Sequence, residues 1–385
     1  MIKICLLTAT RAEYGLLKRV IQKLQLEEGV DVRVVVTGAH LAPEFGLTYK
    51  EIEEDGIEID EKIEILISSD SPMAISKSMG LAMIGFADYF ERSKPDLLVV
   101  LGDRYETLAV CCSAVNHRIP IAHLYGGETT EGAVDEAFRH AITKMSYLHF
   151  TSTEAYRKRV IQLGEDPERI YNVGALGVEN SINEVLFTKT ELEESLSWKL
   201  DSPYGIVTFH PVTLENDTAE HQVLELLKAI EINPQYQYLF TKANADSNGR
   251  IINDLLDKFV KKHENCRVYH SLGMKRYLSA VKYASFVMGN SSSGIVEVPS
   301  FGIPTINIGD RQKGRLQSES VINCQPVGSE IDQCIRSIKN YRHDNFNNPY
   351  EKVNTSMIIT ETLIRALKEG SICIKKKFYD LGENA

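Results

Sequence analysis

The residues best suited to chemistry lie where apolar runs of the chain end. Segment 287–299 closes one apolar run, breaks into Gly-Asn-Ser-Ser-Ser-Gly, and resumes as an apolar run that contains Glu297. A strand, a small polar turn and a helix start in that order present backbone N–H groups and hydroxyls to an anion. Segment 309–315 adds three cationic residues. Together they predict a nucleotide diphosphate site, whereas either segment alone is typical of an ordinary surface loop.

Polar groups also follow two predicted strands of the first half. Arg11 comes directly after the first strand, where a guanidinium suits a phosphate. Thr10 and Glu13 have the spacing of a helix cap, and the two functions are compatible. Asp103 and Arg104 follow a strongly apolar run. They predict functional groups, and the alternative is a mutual ion pair that caps the next helix.

A glycine-rich segment, 123–140, carries further carboxylates. It contains Glu128 and then Asp135, with Arg139 at i, i+4 spacing on one predicted helix. Carboxylates on a glycine-rich loop ahead of a helix suit general acid–base work. Metal binding through His123 and these acids is the competing interpretation, but no H-E-x-x-H or D-x-D pattern supports it.

Alternating strands and helices must position these groups. Such alternation predicts βαβ units and parallel sheets, and hence an α/β fold of two doubly wound, Rossmann-like domains with a ligand cleft between them. We expect domains at 1–185 and 186–365 and a tail at 366–385 that packs back on the first domain. His210 ends the first strand of the second domain. The predicted strands are 2–8, 32–36, 97–101, 119–124, 148–151, 170–173, 205–209, 238–240, 266–269, 286–288 and 305–308.

Composition excludes several classes of protein. The net charge of −10 over 385 residues argues against a nucleic-acid partner. No apolar run reaches the roughly 20 residues that cross a bilayer, and no signal peptide is evident, so we expect no membrane contact and a cytoplasmic location. The seven cysteines include no C-x-x-C pair, which disfavours zinc. A G-x-G-x-x-G motif is absent, and Ile295 replaces the lysine of a P-loop, so dehydrogenases and P-loop NTPases are disfavoured.

Six motifs in this order resemble a known family. They are Arg-Ala-Glu-Tyr-Gly, Gly-Asp-Arg-Tyr-Glu, Gly-Gly-Glu with a later Asp-x-x-x-Arg-His, His-Pro-Val-Thr, Gly-Asn-Ser-Ser-Ser-Gly and Gly-Asp-Arg-Gln-Lys-Gly-Arg. Over residues 2–365 the chain resembles the hydrolysing UDP-N-acetylglucosamine 2-epimerases, in particular their bacterial sialic-acid-pathway branch. The resemblance implies a GT-B fold, a cytoplasmic homodimer, and conversion of UDP-GlcNAc and water to N-acetylmannosamine and UDP without a metal or other cofactor.

The resemblance also implies roles for individual residues. Glu297 would take the ribose hydroxyls, and a backbone group at Leu272 would meet the uracil. The catalytic positions would be Asp103, Asp135 and His210. The residues in contact with UDP would be Arg11, Arg104, His210, Asn244, Leu272, Ser291, Ser292, Glu297 and Arg311.

Two departures from the family pattern leave the proton-transfer roles and the substrate open. Tyr125 stands where animal-type members carry a catalytic glutamate, so Glu128 is the nearest substitute, and Leu16 replaces a lysine found in many relatives. The nearest rival substrate is UDP-2,4-diacetamido-2,4,6-trideoxyglucose, the legionaminic acid precursor. Three further classes of protein stay open, namely a non-hydrolysing epimerase, a GT-B glycosyltransferase and a catalytically silent nucleotide-sugar sensor.

Overall fold

A computed structural model describes residues 1–382 except 68, 70, 213, 216, 217, 244–248, 339, 340 and 342–345. The chain forms two compact units and passes from one to the other at 128/129, 134/135, 179/180 and 351/352. Unit 1 comprises Met1–Glu128, Asp135–Glu179 and Lys352–Ala385, and unit 2 comprises Thr129–Val134 and Asn180–Glu351. None of the helices in the described part of the chain is long and apolar enough to cross a membrane.

Unit 1 is built on a seven-stranded sheet whose pairings are all parallel, in the order β3-β2-β1-β4-β5-β6-β7. All five residues of β4 are buried, as expected for a central strand covered on both faces. The strands are β1 (Ile2–Thr8), β2 (Val30–Thr37), β3 (Ile59–Ile63), β4 (Leu97–Leu101), β5 (Ile121–Leu124), β6 (Leu148–Thr151) and β7 (Ile170–Asn172).

Helices cover both faces of this sheet and enclose two apolar clusters. The helices that begin in unit 1 are α1 (Arg11–Gln25), α2 (Tyr49–Glu54), α3 (Pro72–Ser93), α4 (Tyr105–Asn116), α5 (Asp135–Met145), α6 (Glu154–Gln162), α7 (Leu176–Asn183) and α14 (Thr355–Lys368). Ile359 and Leu363 of α14 are buried in the same apolar cluster as α1. Segment 352–365, which the sequence predicted to be part of the second domain, therefore packs in unit 1 through the apolar face of α14.

Unit 2 repeats this plan with a six-stranded parallel sheet in the order β10-β9-β8-β11-β12-β13. Its strands are β8 (Tyr204–Thr208), β9 (Gln237–Thr241), β10 (Cys266–Tyr269), β11 (Phe286–Gly289), β12 (Thr305–Ile308) and β13 (Val321–Cys324). Its helices are α8 (Lys189–Leu196), α9 (Ala219–Glu231), α10 (Gly249–Val260), α11 (Gly273–Tyr283), α12 (Ser293–Val296) and α13 (Gly328–Ser337).

The predicted α/β class with two doubly wound parallel sheets is confirmed. All eleven predicted strands coincide with observed strands, five of them with identical bounds. The two strands that the prediction missed, β3 and β13, lie at sheet edges. Their sequences, Ile-Asp-Glu-Lys-Ile and Val-Ile-Asn-Cys, carry polar residues because an edge strand is only half covered.

The order of the strands explains where the chemical groups collect. In each sheet the direction of the connections reverses once, between β1 and β4 in unit 1 and between β8 and β11 in unit 2. Ligands of open α/β sheets bind at such switch points, beyond the carboxyl ends of the strands. Arg11 and Asp103 follow β1 and β4, and His210 and Ser291 follow β8 and β11. Four of the predicted motifs therefore lie at the switch points, and the motifs at 123–140 and 309–315 continue from the neighbouring strands β5 and β12.

A buried carboxylate ties the C-terminal tail to the end of α5. Glu165 is fully buried and accepts hydrogen bonds from Lys144 Nζ (2.6 Å), Lys376 Nζ (2.8 Å) and His149 Nε2 (3.1 Å). Lys376 also donates to the carbonyl of Ser146, just beyond α5. Burial alone would raise the pKa of Glu165, but these hydrogen bonds outweigh burial and lower its pKa to about 2.

We expect Glu165→Gln to destabilise the protein in a pH-dependent way. Because the folded-state pKa lies below the unfolded-state value of about 4.3, the carboxylate stabilises the fold above that pH and the contribution is lost as pH falls towards about 2. The free energy of unfolding should drop by about 3 kcal/mol near neutral pH, and the difference from wild type should shrink in acid. Urea unfolding across this pH range measures it, and a difference that does not change with pH would contradict the assignment.

Candidate functional site

A buried guanidinium gathers the polar groups at the switch point of unit 1. The Arg139 side chain is 1% exposed. Its Nη2 donates to Asp103 Oδ2, and its Nη1 donates to Glu136 Oε2 (2.6 Å) and to the carbonyl of Glu128 (2.9 Å). Asp103 comes from the connection between β4 and β5, and Glu128 and α5 both come from the connection between β5 and β6. One cation therefore brings Asp103 and the backbone of Glu128 to the same place.

Two glycines set the path of the chain into Glu128. A Cβ on Gly127, whose φ is +79°, would lie 2.4 Å from the carbonyl oxygen of Tyr156, and a Cβ on Gly126 would lie 2.9 Å from Thr143 Oγ1. The Glu128 side chain is 3% exposed, and its Oε1 accepts from Ser152 Oγ at 2.7 Å. The close approach that glycine permits thus fixes a buried carboxylate.

Tyr125, two residues before Gly127, adopts an unusual backbone conformation. Its φ is +70°, a region that residues other than glycine seldom occupy and that is enriched at functional sites. Its hydroxyl accepts a hydrogen bond from the backbone N–H of Gly177 at 3.4 Å. The phenol is therefore directed to the start of α7.

The turn between β1 and α1 is a helix cap, as the sequence indicated. Thr10 accepts from the N–H of Glu13, and Glu13 Oε2 accepts from the N–H groups of Ala9 (2.7 Å) and Thr10 (3.3 Å). Burial raises the pKa of Glu13 to about 7, against the opposing charge of Arg104. The carboxylate of Glu13 thus accepts hydrogen bonds from two backbone N–H groups of this turn. Arg11 is the cationic residue of the same turn. Burial lowers the pKa of Arg11 to about 10.

The two charged groups that follow β4, Asp103 and Arg104, each pair with a residue further along the chain. Arg104 Nε and Nη2 each donate at 3.1 Å to the two oxygens of Glu106, whose side chain is 1% exposed, while Asp103 pairs with Arg139. A carboxylate on the first turn of α4 thus pairs with the Arg104 guanidinium. On α5, a carboxylate that pairs with Arg139 is Glu136 at i, i+3 spacing, and His140 Nε2 lies 3.1 Å from Glu136 Oε1.

In unit 2 the side chain of Asn290 fastens two strand ends together. Asn290 Oδ1 accepts from the N–H of His210, and its Nδ2 donates to the carbonyl of His210, both at 2.7 Å. Gly289, the residue before Asn290, has a φ of +130°, and a Cβ on Gly289 would lie 1.9 Å from the carbonyl oxygen of Thr208. Burial of Asn290 is complete. These two hydrogen bonds therefore hold the backbone of His210 beside residues 289–294, which we call the serine turn.

The helix that begins in the serine turn is short. Helix α12 has only four residues, and Glu297 is its C-cap, because a 3-10 turn begins at Val298 with Pro299 as its second residue. Ser292 is exposed, while Ser291 is half-buried and its Oγ lies 3.4 Å from the N–H of Ser293. The Tyr277 hydroxyl donates to Ser293 Oγ at 2.8 Å.

Residues 309–315, which we call the cationic loop, are also hydrogen-bonded to Asn290. Arg311 Nη1 (3.2 Å) and Gln312 Nε2 (2.9 Å) both donate to the carbonyl of Asn290. Leu272 is buried as the N-cap of α11. Asn244 lies outside the described residues. The sequence predicted Arg311 at this site but not the buried amides of Asn290 and Gln312, whose position inside a polar loop gave no sign of burial.

Two doubly wound sheets, each with polar or charged side chains at its switch point, define an α/β protein of the GT-B class. The crystal structure of UDP-GlcNAc 2-epimerase from Neisseria meningitidis bound to UDP-GlcNAc has a similar fold, with a TM-score of 0.78 at 20% sequence identity over 94% of this chain and all of that one. A family model described as UDP-N-acetylglucosamine 2-epimerase matches residues 22–364. The chain belongs to this family, as the motifs predicted.

Two curated relatives are more similar in sequence. The chain is 44% identical over 338 residues to the "GDP/UDP-N,N'-diacetylbacillosamine 2-epimerase (hydrolyzing)" of Campylobacter jejuni, covering 88% of this chain and 87% of the relative. It is 39% identical over 391 residues to "Polysialic acid biosynthesis protein P7" of Escherichia coli, covering 100% and 98%. Similarity thus extends over both units, to hydrolysing-type relatives and to a protein of polysialic acid synthesis.

We expect Arg139→Met to be strongly destabilising. The substitution keeps an apolar chain of similar length but leaves carboxylates around a buried space without their cation, which costs about 3–5 kcal/mol. The matched control is Arg336→Met, since the Arg336 side chain is 66% exposed and a surface pair contributes about 1 kcal/mol or less. Denaturant unfolding of both variants measures the difference, and equal stabilities would contradict the central role of Arg139.

Proposed function

We propose that this protein is a hydrolysing 2-epimerase that converts UDP-GlcNAc and water to N-acetylmannosamine and UDP. The observation that carries the proposal is the buried Arg139, which fixes Asp103 and the backbone of Glu128 at a ligand-binding switch point. Carboxylates held at fixed positions suit proton transfer at a carbon beside a leaving group. Membership of the family supports the substrate class, and the polysialic acid relative supports a product for sialic acid synthesis.

The reaction proceeds by elimination and addition. A base removes the proton from C2, the C2–H electrons form the C1=C2 double bond, and the C1–O bond breaks so that UDP leaves with the electron pair. Water then adds its hydroxyl to C1 of 2-acetamidoglucal, and a proton reaches C2 on the opposite face. The proton carriers that we propose are Asp103, Glu128, Asp135 and His210.

Glu128 replaces the carboxylate that animal-type members carry at the position of Tyr125. Its side chain is buried and accepts from Ser152, an environment in which a carboxylate is held in one orientation. Tyr125 directs its hydroxyl to Gly177. Of the two neighbouring positions, Glu128 is therefore the one with a group that can accept the C2 proton.

The leaving diphosphate needs positive charge and hydrogen-bond donors. Arginine is suited to this task because its guanidinium matches the geometry of phosphate oxygens. UDP is a good leaving group once its diphosphate is stabilised, so the proposal includes no metal and no other cofactor. We propose that Glu297 takes the ribose hydroxyls, that Leu272 meets the uracil, and that the remaining UDP contacts come from Arg11, Arg104, His210, Asn244, Ser291, Ser292 and Arg311.

Proton NMR in D₂O with UDP-GlcNAc and no added metal tests the proposal. Elimination and addition predict UDP together with N-acetylmannosamine that carries deuterium at C2. Epimerised sugar still attached to UDP would point to a non-hydrolysing enzyme. Absence of any reaction, with UDP still bound, would contradict this substrate.

UDP-2,4-diacetamido-2,4,6-trideoxyglucose is the second candidate substrate. The Campylobacter jejuni relative, whose name states a diacetylbacillosamine 2-epimerase, favours it. The two sugars share the 2-acetamido group and the leaving diphosphate, so the same proton carriers would serve both. Turnover of each sugar alone, and then of both in competition, gives the ratio of kcat/KM values that decides between them.

We expect Glu128→Gln and Glu297→Ala to separate chemistry from binding. Loss of a positioned proton carrier lowers rate by about 10²–10⁴-fold, so Glu128→Gln should reduce turnover by this much with UDP affinity unchanged. Glu297→Ala is the matched control and should weaken UDP binding. Calorimetric titration with UDP and a coupled UDP-release assay measure the two quantities. Normal turnover by Glu128→Gln would eliminate Glu128 as the substitute for the missing glutamate.

We also propose that the protein is a cytoplasmic homodimer that pairs through α3. Leu81 (42% exposed) and Ile84 (65% exposed) form the centre of an apolar face, with Lys77 and Asp88 flanking them at equal separations. A two-fold axis between Leu81 and Ile84 would bring Lys77 of one copy opposite Asp88 of the other. Such self-complementary charge is what a symmetric interface between identical chains requires.

We expect Ile84→Glu to convert the dimer to a monomer, because it places two like charges near the axis. Size-exclusion chromatography with light scattering measures the mass. Ile232→Glu on unit 2 provides the matched control, since Ile232 is 56% exposed and lies far along the chain from α3. A wild-type monomer, or a variant that stays dimeric, would contradict pairing through this face.

A further inference from the structure

The six residues between Glu128 and Asp135 belong to a different unit from their neighbours. We call Thr129–Val134 the connecting loop. It is part of unit 2, whereas the residues that flank it on both sides are part of unit 1. The connecting loop is therefore joined by peptide bonds at each end to a carboxylate that we propose to be catalytic.

The connecting loop is packed against the cationic loop of unit 2 by backbone contacts. A Cβ on Gly132 would lie 2.9 Å from the carbonyl oxygen of Asp310 and 3.1 Å from the Cα of Arg311. The N–H of Glu131 donates to the carbonyl of Lys313 at 3.1 Å. Backbone approaches of this kind require glycine, because no side-chain rotamer can relieve the contact.

The packing is equally close when seen from the other side. Gly314 has a φ of +88°, and a Cβ there would lie 2.6 Å from Thr129 Cγ2. The side chains of Glu131 and Lys313 also pair at 3.5 Å, but both are more than half exposed, so the pair contributes little. Shape rather than surface charge holds the two loops together.

The cationic loop has further partners within unit 2. Arg311 and Gln312 both donate to the carbonyl of Asn290, and the N–H of Gly309 donates to the carbonyl of Cys324 at 2.9 Å. Asn290 in turn holds the backbone of His210. A group added at Gly132 would have to separate the two loops at this close approach.

We propose that the connecting loop positions Glu128 and Asp135 according to the state of the cationic loop, with Gly132 as the positioning residue. The inference rests on the proposed function, because it takes Arg311 to bind the diphosphate and the two carboxylates to transfer protons. When the diphosphate orders the cationic loop, the loop packed on it is ordered too, and the carboxylates at its ends are set for reaction. Elimination of UDP is then favoured only when the diphosphate is in place.

The test is Gly132→Ala, which adds one methyl group at the loop–loop contact. A misplacement of about 1 Å in a catalytic group can cost about 10²-fold, so we expect kcat to fall by this order while the affinity for UDP is unchanged. Misplaced carboxylates should also release 2-acetamidoglucal before water adds, so the ratio of glucal to N-acetylmannosamine should rise. Gly382→Ala is the matched control, because no atom of the described residues lies within 4 Å of a Cβ added there.

A second measurement does not depend on turnover. Hydrogen–deuterium exchange should show that UDP slows amide exchange across 128–135 in the wild type, and that Gly132→Ala loses this effect while still binding UDP. Wild-type kcat and glucal ratio in Gly132→Ala, or no protection of 128–135 by UDP, would overturn the inference. Failure of the proposed function is distinguishable, because the wild type itself would then turn over neither sugar.

Discussion

The ion pairs of Arg139 are the interaction on which the arrangement of unit 1 depends. Moving a guanidinium out of water costs several kcal/mol, and only well-placed acceptors offset that cost. Asp103 supplies one acceptor from the connection after β4, and Glu136 and the carbonyl of Glu128 supply two from the connection after β5. The loops therefore cannot vary independently, since displacing one leaves a buried charge without its partner. Such constraint is what keeps proton-transferring carboxylates in a fixed geometry.

In unit 2 a neutral side chain, that of Asn290, connects separate loops as Arg139 does in unit 1. The amide of Asn290 has both a donor and an acceptor, and it satisfies both with the backbone of His210. Its own carbonyl receives Arg311 and Gln312. A neutral amide at this place keeps the positive charge of Arg311 available for an anion, whereas a carboxylate would neutralise it. The difference between the two units matches the division of roles that we propose, with proton transfer in one and the nucleotide in the other.

The sequence predicted the sheets well because central strands are buried on both faces and read as continuous apolar runs, as in Leu97–Leu101. Edge strands such as β3 escaped prediction because charged residues interrupt them. The motifs at the switch points were found from residue type alone. Their pairing was not, since Arg139 meets Asp103 across 36 positions of the chain. Spacing along a helix reveals i, i+4 neighbours, and contacts between connections depend on the fold.

The sequence also did not predict the role of two glycines, because that role depends on contacts between loops. Gly132 and Gly314 are ordinary loop residues in the sequence, and only the approach of two backbones shows why no side chain fits. The Tyr125 conformation is likewise invisible from composition. Conversely, the helix cap at Thr10 was predictable because all its partners lie within four positions.

The central claim is that UDP leaves by cleavage of the bond between C1 and the diphosphate oxygen, which elimination at C2 requires. The most direct measurement is turnover in H₂¹⁸O followed by ³¹P NMR or mass spectrometry of the UDP. Cleavage of the C1–O bond leaves UDP with none of the heavy isotope, and this is the predicted result. One ¹⁸O on the β-phosphate would mean that water attacks phosphorus, and the proton-transfer roles proposed for Asp103, Glu128 and Asp135 would then be contradicted.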